Sequence, residues 1–314
     1  MHKQPAREVS APAPVLPLPL FIGAVVALLG SLVIAVPGDP EWWKVIVLGV
    51  VQGITEWLPI SSTGHLLIVS DLLGYTGSIG GTFEIFIQFG TVLSVVAFYA
   101  ADLLAQGRAL AGQSTRAEAL AARRLWIGVV IAALPAAIIG IVFRDFIKAV
   151  LFETPQVIAG ALIAGGIVFL IVERFPLRAA NTHDPGQITP WQALGVGIAQ
   201  VFALIPGMSR SGSSIIGGLL AGLDRRTATA FSFYLSIPVL GAATVVDLIG
   251  SLDQVQAGDW GRLLLGTVVA MIVGYLAIGW LLRYVARHTF VAFGIYRIAV
   301  GLLILWLAAA GILR

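Results

Sequence analysis

The chain is 314 residues long, 58% hydrophobic and 11% charged, with a formal net charge of +3, where an ordinary soluble domain carries roughly 25% charged residues. That balance excludes a soluble globular enzyme and a nucleic-acid binder, and makes the bilayer the solvent in which the chain must be read. The absence of cysteine excludes disulfides, thiolate catalysis and thiolate metal sites.

Residues 1–14, rich in Pro and Ala, read as a disordered tail. The run LPLPLFIGAVVALLGSLVIAV that follows is long for a signal peptide and lacks a clear small-x-small cleavage site. Residues 15–40 are therefore read as an extra N-terminal transmembrane anchor. A hydrocarbon core of about 30 Å needs about 20 apolar residues. Runs of that kind lie near 15–36, 83–104, 124–143, 157–173, 228–249, 261–282 and 291–312. They do not alternate polar and apolar residues as barrel strands would, so all are expected to be helices.

Two segments interrupt that series. Residues 44–73 and 192–222 are each a pair of half-length apolar stretches broken by Pro, Gly and hydroxyl residues. Freed backbone groups at such a break would have no partner in lipid, so both are read as re-entrant hairpins that return to the side they entered. GVVQGITEWLPISSTGHL can be laid on GIAQVFALIPGMSRSGSSI with one gap, so that Gly49 meets Gly197, Gln52 meets Gln200 and Pro59 meets Pro206. The expected fold is an all-α polytopic membrane protein built as an inverted repeat. Residues 41–178 would form one repeat and 179–314 the other, each a re-entrant hairpin plus three transmembrane helices. Interrupted segments in two inverted halves point to a site near the bilayer midplane.

Orientation follows from the basic residues of the loops. One side collects Lys3, Arg7, Arg108, Arg116, Arg123, Arg124, Arg174, Arg178, Arg225, Arg226, Arg283 and Arg287, and the other only Lys44, Arg144, Lys148, Arg262 and Arg314. The first side, with the N-terminus, should be cytoplasmic. The first hairpin would then open to the exterior and the second to the cytoplasm, with their tips meeting. Arg210 and Arg297 fall inside the apolar body.

The chemistry concentrates at the two tips. Gln52 and Glu56 share a face of the descending half-helix. Pro59 should end that helix, and Ser61, Ser62 and Thr63 stand where a new one would be capped, its N–H groups pointing into the break. Ser62 and His65 would then lie one turn apart. In the second tip Pro206 ends a half-helix, and Gly207, Ser209, Arg210, Ser211 and Gly212 form a donor-rich turn whose guanidinium suits phosphate oxygens. This set suits a phosphate or pyrophosphate with a hard divalent cation, Mg²⁺ or Ca²⁺, held by Glu56 and the Gln52 carbonyl. The attacking group is left as Ser62, His65 or a water activated by His65. A lone Gln, Ser or Thr in a membrane helix is more often an interhelical hydrogen bonder, the reading given to Gln200, Ser94 and Thr91. Ionisable groups within a bilayer are costly and usually functional, which favours a working role for Glu56, His65 and Arg210. Arg297 reads as a structural partner.

QGITEWLPISSTGH and PGMSRSG resemble, nearly residue for residue, the signature segments of the bacterial undecaprenyl-diphosphate phosphatases of the bacitracin-resistance type. The resemblance runs from about Lys44 to the C-terminus, and leaves the N-terminal anchor outside it. It implies a multi-pass inner-membrane enzyme that converts a C55 isoprenyl diphosphate lipid to the monophosphate carrier with a divalent cation, at a site reached from the periplasmic side. It implies further that the carrier is recycled for cell-wall synthesis and that bacitracin resistance follows. The family's functional positions fall on Gln52, Glu56, Ser62, His65, Ser209 and Arg210. Its first acidic position is Gln here, which removes a negative charge from the metal set. The expected partners are the lipid substrate, the bilayer and, as a candidate, a second copy in a homodimer. An inverted-repeat lipid-phosphate flippase or transporter is the alternative. Soluble-related lipid phosphatases that use a phosphohistidine also have TGH-like and SR-like elements, but their histidine position after SR holds Ile216 here.

Overall fold

The computed structural model describes residues 18–35, 41–75, 81–143, 154–175 and 179–313. The tail expected over 1–14, and Arg144, Lys148, Arg178 and Arg314 of the orientation count, lie outside them. Apart from one isolated bridge between Thr182 and Leu223, the regular structure of the described residues is helical. The helices are α1 (Leu18–Ala35), α2 (Trp42–Trp57), α3 (Ser62–Leu72), α4 (Thr82–Phe98), α5 (Ala100–Leu110), α6 (Arg116–Val142) and α7 (Pro155–Arg174). They continue as α8 (Pro190–Val201), α9 (Arg210–Leu220), α10 (Arg225–Ser251), α11 (Trp260–Val285) and α12 (Val291–Ala309).

Among the described residues five helices are long and apolar enough to cross a membrane, namely α6, α7, α10, α11 and α12. A sixth is obtained if α4 and α5 are taken as one span, although they are bent by 65° at Tyr99. The uninterrupted crossing expected over 83–104 is thus a broken one. Neither Pro nor Gly stands at the bend; the Tyr99 ring packs there on Tyr234 of α10, centroids 4.6 Å apart. The apolar part of α1, Ile22–Ile34, is shorter than the five spans. It leans on α11, with Leu28 and Leu32 packed against a cluster formed by Val45, Leu48, Phe83, Ile87 and Leu265.

α2 with α3, and α8 with α9, are the two short helix pairs expected from the broken segments. Helix contacts across the chain are close because small residues let backbones approach, the usual means of association in lipid. A Cβ on Gly49 or Gly53 of α2 would meet Gly266 O at 3.0 Å or Ala270 O at 2.9 Å on α11. On α8, a Cβ at Gly197 would come within 2.6 Å of Ala132 O of α6. α7 and α12 meet along Gly166 and Gly294, where a Cβ on either would lie 2.6 or 3.0 Å from the other's carbonyl oxygen. The largest core cluster, including Trp57, Ile60, Ile215, Phe231 and Phe233, packs directly around the ends of both helix pairs.

Candidate active site

Both tips begin with the same local event. Leu58 (φ −69°, ψ 143°) and Ile205 (φ −81°, ψ 118°) are extended, as the residue before a proline must be, and each ends the helical run before it. The chain then turns at Ser61 (φ 72°, ψ 105°) and Ser209 (φ 72°, ψ 117°), the non-glycine residues with positive φ among those described. Such a conformation costs on the order of 1–3 kcal/mol for a residue with a Cβ and persists where surrounding structure imposes it. Each serine stands immediately before a helix, α3 or α9. Ser209 Oγ accepts the Gly212 N–H at 3.1 Å and so caps α9, whereas Ser61 makes no side-chain cap.

Glu56 is where the candidate residues converge. It is 6% exposed, and its Oε2 accepts from Gln52 Nε2 at 3.2 Å and Ser62 Oγ at 2.9 Å. Its Oε1 accepts from Arg210 Nη2 at 3.1 Å, an ion pair between the two tips. Arg210 Nη1 reaches the Ser232 carbonyl at 3.2 Å, and the guanidinium lies over the Trp57 ring, 5.3 Å from its centroid. Trp57 in turn donates its indole N–H to Ser94 at 3.1 Å, so Ser94 does bridge helices. Thr91 instead bonds within α4, to Gln88 O at 2.6 Å.

Ser62 and His65 are one turn apart on α3, yet they do not bond to each other. Glu56 takes the Ser62 hydroxyl, while the His65 ring bridges Ser61 O through Nδ1 at 2.7 Å and the Tyr296 hydroxyl through Nε2 at 2.8 Å. A carbonyl oxygen can only accept, so Nδ1 carries the hydrogen and Nε2, the basic nitrogen of the neutral ring, accepts from the Tyr296 hydroxyl. Thr63, half-buried, occupies the second position of α3.

The second tip is tied to the first. Ser211 Oγ is 3.1 Å from Ser209 Oγ and donates to Leu58 O at 3.1 Å. Arg297, fully buried on α12, donates to Pro59 O of the first tip at 3.2 Å. It also donates to Gly207 O at 3.1 Å and Met208 O at 2.9 Å of the second, and to Leu162 O and Ala161 O of α7, both at 3.3 Å. Gly165 makes room for it, since a Cβ there would lie 2.1 Å from Nη2. The structural reading of Arg297 is thus given its content: its partners are carbonyls of three segments. Gly207 (φ 94°) approaches α7 so closely that a Cβ would meet Ile158 O at 2.3 Å.

Every site residue expected on the sequence except Thr63 belongs to these contacts or flanks them. Gln200 is buried, but neither of its amide atoms has a partner. Gln52 Oε1 is likewise buried without a partner, beside the Glu56 carboxylate. No cluster of three or more His, Asp or Glu occurs among the described residues. The residues missed on the sequence are Ser232, Trp57 and Tyr296. Ser232 lies 22 positions from Arg210 and Tyr296 231 from His65, outside both motifs, whereas Trp57 stands inside QGITEWLPISSTGH beside Glu56 and reads there as an apolar residue.

Residues 45–303 match the family model described as bacitracin resistance protein BacA. An undecaprenyl-diphosphatase of Deinococcus radiodurans is 44% identical over 277 residues, which cover 87% of this chain and 98% of that protein. An undecaprenyl-diphosphatase 1 of Burkholderia lata is 44% identical over 85% of this chain and 96% of its own length. A protein of the same description from Paraburkholderia xenovorans is 44% identical over 86% and 96%. The matched family region starts after α1.

Proposed function

The chain belongs to the bacitracin resistance protein BacA family, and from that premise we propose that it is a membrane undecaprenyl-diphosphatase, releasing inorganic phosphate from undecaprenyl diphosphate. The observation that carries this reading is the convergence on Glu56 of the Ser62 hydroxyl, the Arg210 guanidinium and the Gln52 amide.

The geometry supports Ser62 as the nucleophile and Glu56 as its base, because the hydroxyl already donates to Oε2 at 2.9 Å. Ser62 Oγ would bond to the terminal phosphorus as its proton passes to Glu56, and the bridging P–O bond would break, freeing the lipid monophosphate. Water would then open the phosphoserine and release phosphate. His65, one turn away, would take the proton of that water at Nε2 through the Tyr296 hydroxyl bonded to it. Arg210 and the N-terminal N–H groups of α3 and α9 would stabilise charge on the transferred phosphoryl oxygens.

Gln52 Oε1 and Glu56 would hold a divalent cation, Mg²⁺ or Ca²⁺. A buried oxygen without a partner beside a carboxylate suits a hard cation. A set of one carboxylate and one amide is enough where substrate phosphates complete the shell, as for Mg²⁺. Bound there, the cation supplies charge stabilisation to the diphosphate. Ser61, Thr63, Ser209, Ser211 and Gly212 surround the same space as phosphate-facing donors or backbone.

The wider reading is an inverted repeat. Its supports are the paired pre-proline breaks, the shared backbone at Ser61 and Ser209, and the matching approaches of Gly49 to α11 and Gly197 to α6. On this reading the first hairpin opens to the periplasm of an inner-membrane protein with a cytoplasmic N-terminus. The enzyme would recycle the lipid carrier for peptidoglycan synthesis and confer bacitracin resistance, as a monomer or homodimer. Transport would need no Ser62–Glu56 pair, and the relatives are named for hydrolysis.

The test is phosphate release from C55 diphosphate by purified protein in detergent with Mg²⁺ or Ca²⁺, compared with Glu56→Ala, Ser62→Ala and Arg210→Ala. Losses of on the order of a hundredfold or more are expected in each. Turnover at the wild-type rate in all three would overturn the site.

A further inference from the structure

We infer that Tyr296 is a positioning residue for His65, holding the imidazole with Nε2 as its working nitrogen. The inference rests on the diphosphatase reading of the site, which gives His65 a proton to move.

The imidazole of His65 has two partners, one on each side of the ring. The first is the carbonyl of Ser61, 2.7 Å from Nδ1 and on the same hairpin. The second is the Tyr296 hydroxyl, 2.8 Å from Nε2, and it comes from α12, 231 residues further along the chain. One partner alone would leave the ring free to turn about the remaining bond. Two partners at opposite ring nitrogens fix its plane and its tautomer together. The rings of His65 and Tyr296 also lie within 6° of parallel, with centroids 5.5 Å apart.

Tyr296 can do this because its own position is set by its neighbour. Successive residues on a helix point about 100° apart, so adjacent positions serve different faces. Arg297 points inward, fully buried, and grips carbonyls of both tips, while Tyr296 is 44% exposed. α12 is in turn seated on α7 through Gly166, Gly294 and Gly301, where a Cβ on Gly301 would lie 2.8 Å from Ala159 O. The same helix thus fixes the tips through one residue and the imidazole through the next. In the neutral ring the phenol donates to Nε2; the phenol passes that hydrogen to Nε2 as it takes one from the water, and its oxygen then accepts from Nε2–H. A single hydroxyl rotation serves both states, which lets the imidazole take and return a proton without losing its orientation.

The decisive variant is Tyr296→Phe, which keeps the ring and removes the hydroxyl. Full-length protein in detergent would be assayed for phosphate release from C55 diphosphate, and its ¹⁵N-histidine spectrum recorded, with the His65 signals assigned by their loss in His65→Gln. We expect kcat to fall about tenfold, the scale of one ordinary hydrogen bond, with KM and the thermal midpoint unchanged. We expect wild-type Nε2 to show the shift of a hydrogen-bonded acceptor, and that shift to disappear in Tyr296→Phe. An unchanged kcat, or an Nε2 signal identical in the two proteins, would overturn the inference. Wild-type protein that releases no phosphate would instead overturn the diphosphatase reading, and the Nε2 shift alone would then decide whether Tyr296 holds the ring.

Discussion

Arg210 Nη2 and Glu56 Oε1 lie 3.1 Å apart across 154 residues of chain, one at the tip of each helix pair. Neither side chain has another charged partner in this contact. Removing one therefore leaves the other as a buried, unbalanced charge, which typically costs about 3 kcal/mol or more. Glu56→Ala and Arg210→Ala should lose both activity and thermal stability in detergent. The double variant Glu56→Gln with Arg210→Gln should recover stability but not activity, as measured by melting and by phosphate release.

Arg297 can be tested with graded replacements. Its guanidinium supplies the hydrogen bonds to Pro59, Ala161, Leu162, Gly207 and Met208. Lysine has fewer donors and no planar fork, so Arg297→Lys should melt between wild type and Arg297→Met. Each unpaired buried carbonyl is expected to cost about 1 kcal/mol or more. Both variants should lose turnover in the same order, because the two tips lose a shared anchor.

On the proposed cation site, Gln52 would set the metal requirement. Replacing it with Glu adds a carboxylate beside Glu56 and should lower the Mg²⁺ or Ca²⁺ concentration that gives half-maximal phosphate release. Gln52→Ala removes an oxygen ligand and should raise that concentration, with an effect on the order of tenfold in either direction, since ligand charge count tunes such sites over wide ranges. Equal metal dependence in all three proteins would remove Gln52 from the cation site.

Gly207 offers a steric test that involves no chemistry. With φ at 94° and Ile158 O only 2.3 Å from where a Cβ would stand, Gly207→Ala must push the second tip away from α7. Loss of folded protein on size-exclusion chromatography, or activity reduced together with stability, is the expected outcome.

The N-terminal helix should be dispensable for catalysis. α1 contacts α11 and the cluster around Val45 and Phe83, and none of the site contacts involve it. Protein lacking residues 1–40 should keep its kcat and melt about 2–4 °C lower, the shift that one or two kcal/mol produces at this size.

The two polar breaks were legible because lipid tolerates no unpaired backbone, so Pro59 and Pro206 with their hydroxyl neighbours could only mark protected tips. Glu56 and Arg210 were legible for the same reason, being charges where charge is expensive. What was hidden depended on long-range partners. The spacing of Ser62 and His65 predicts one shared face, and α3 provides it, but Glu56 and the Ser61 carbonyl claim the two groups separately. Tyr296 carries no motif, since a tyrosine in an apolar helix is ordinary until its hydroxyl is seen to meet an imidazole. The bend at Tyr99 was hidden too, because no Pro or Gly marks it in the sequence; the Tyr99 ring packs on Tyr234 there.

Arg297 has a further consequence that lies in arithmetic of charge. The tips bring together two guanidinium groups, Arg210 and Arg297, and one carboxylate, Glu56. Carbonyl dipoles soften the second positive charge without cancelling it, and a low-dielectric surround screens it little. The described charges at the tips therefore sum to one more positive than negative, which favours an anionic partner. On the proposed function, a diphosphate headgroup would supply that anion while its neutral prenyl tail stayed in the lipid.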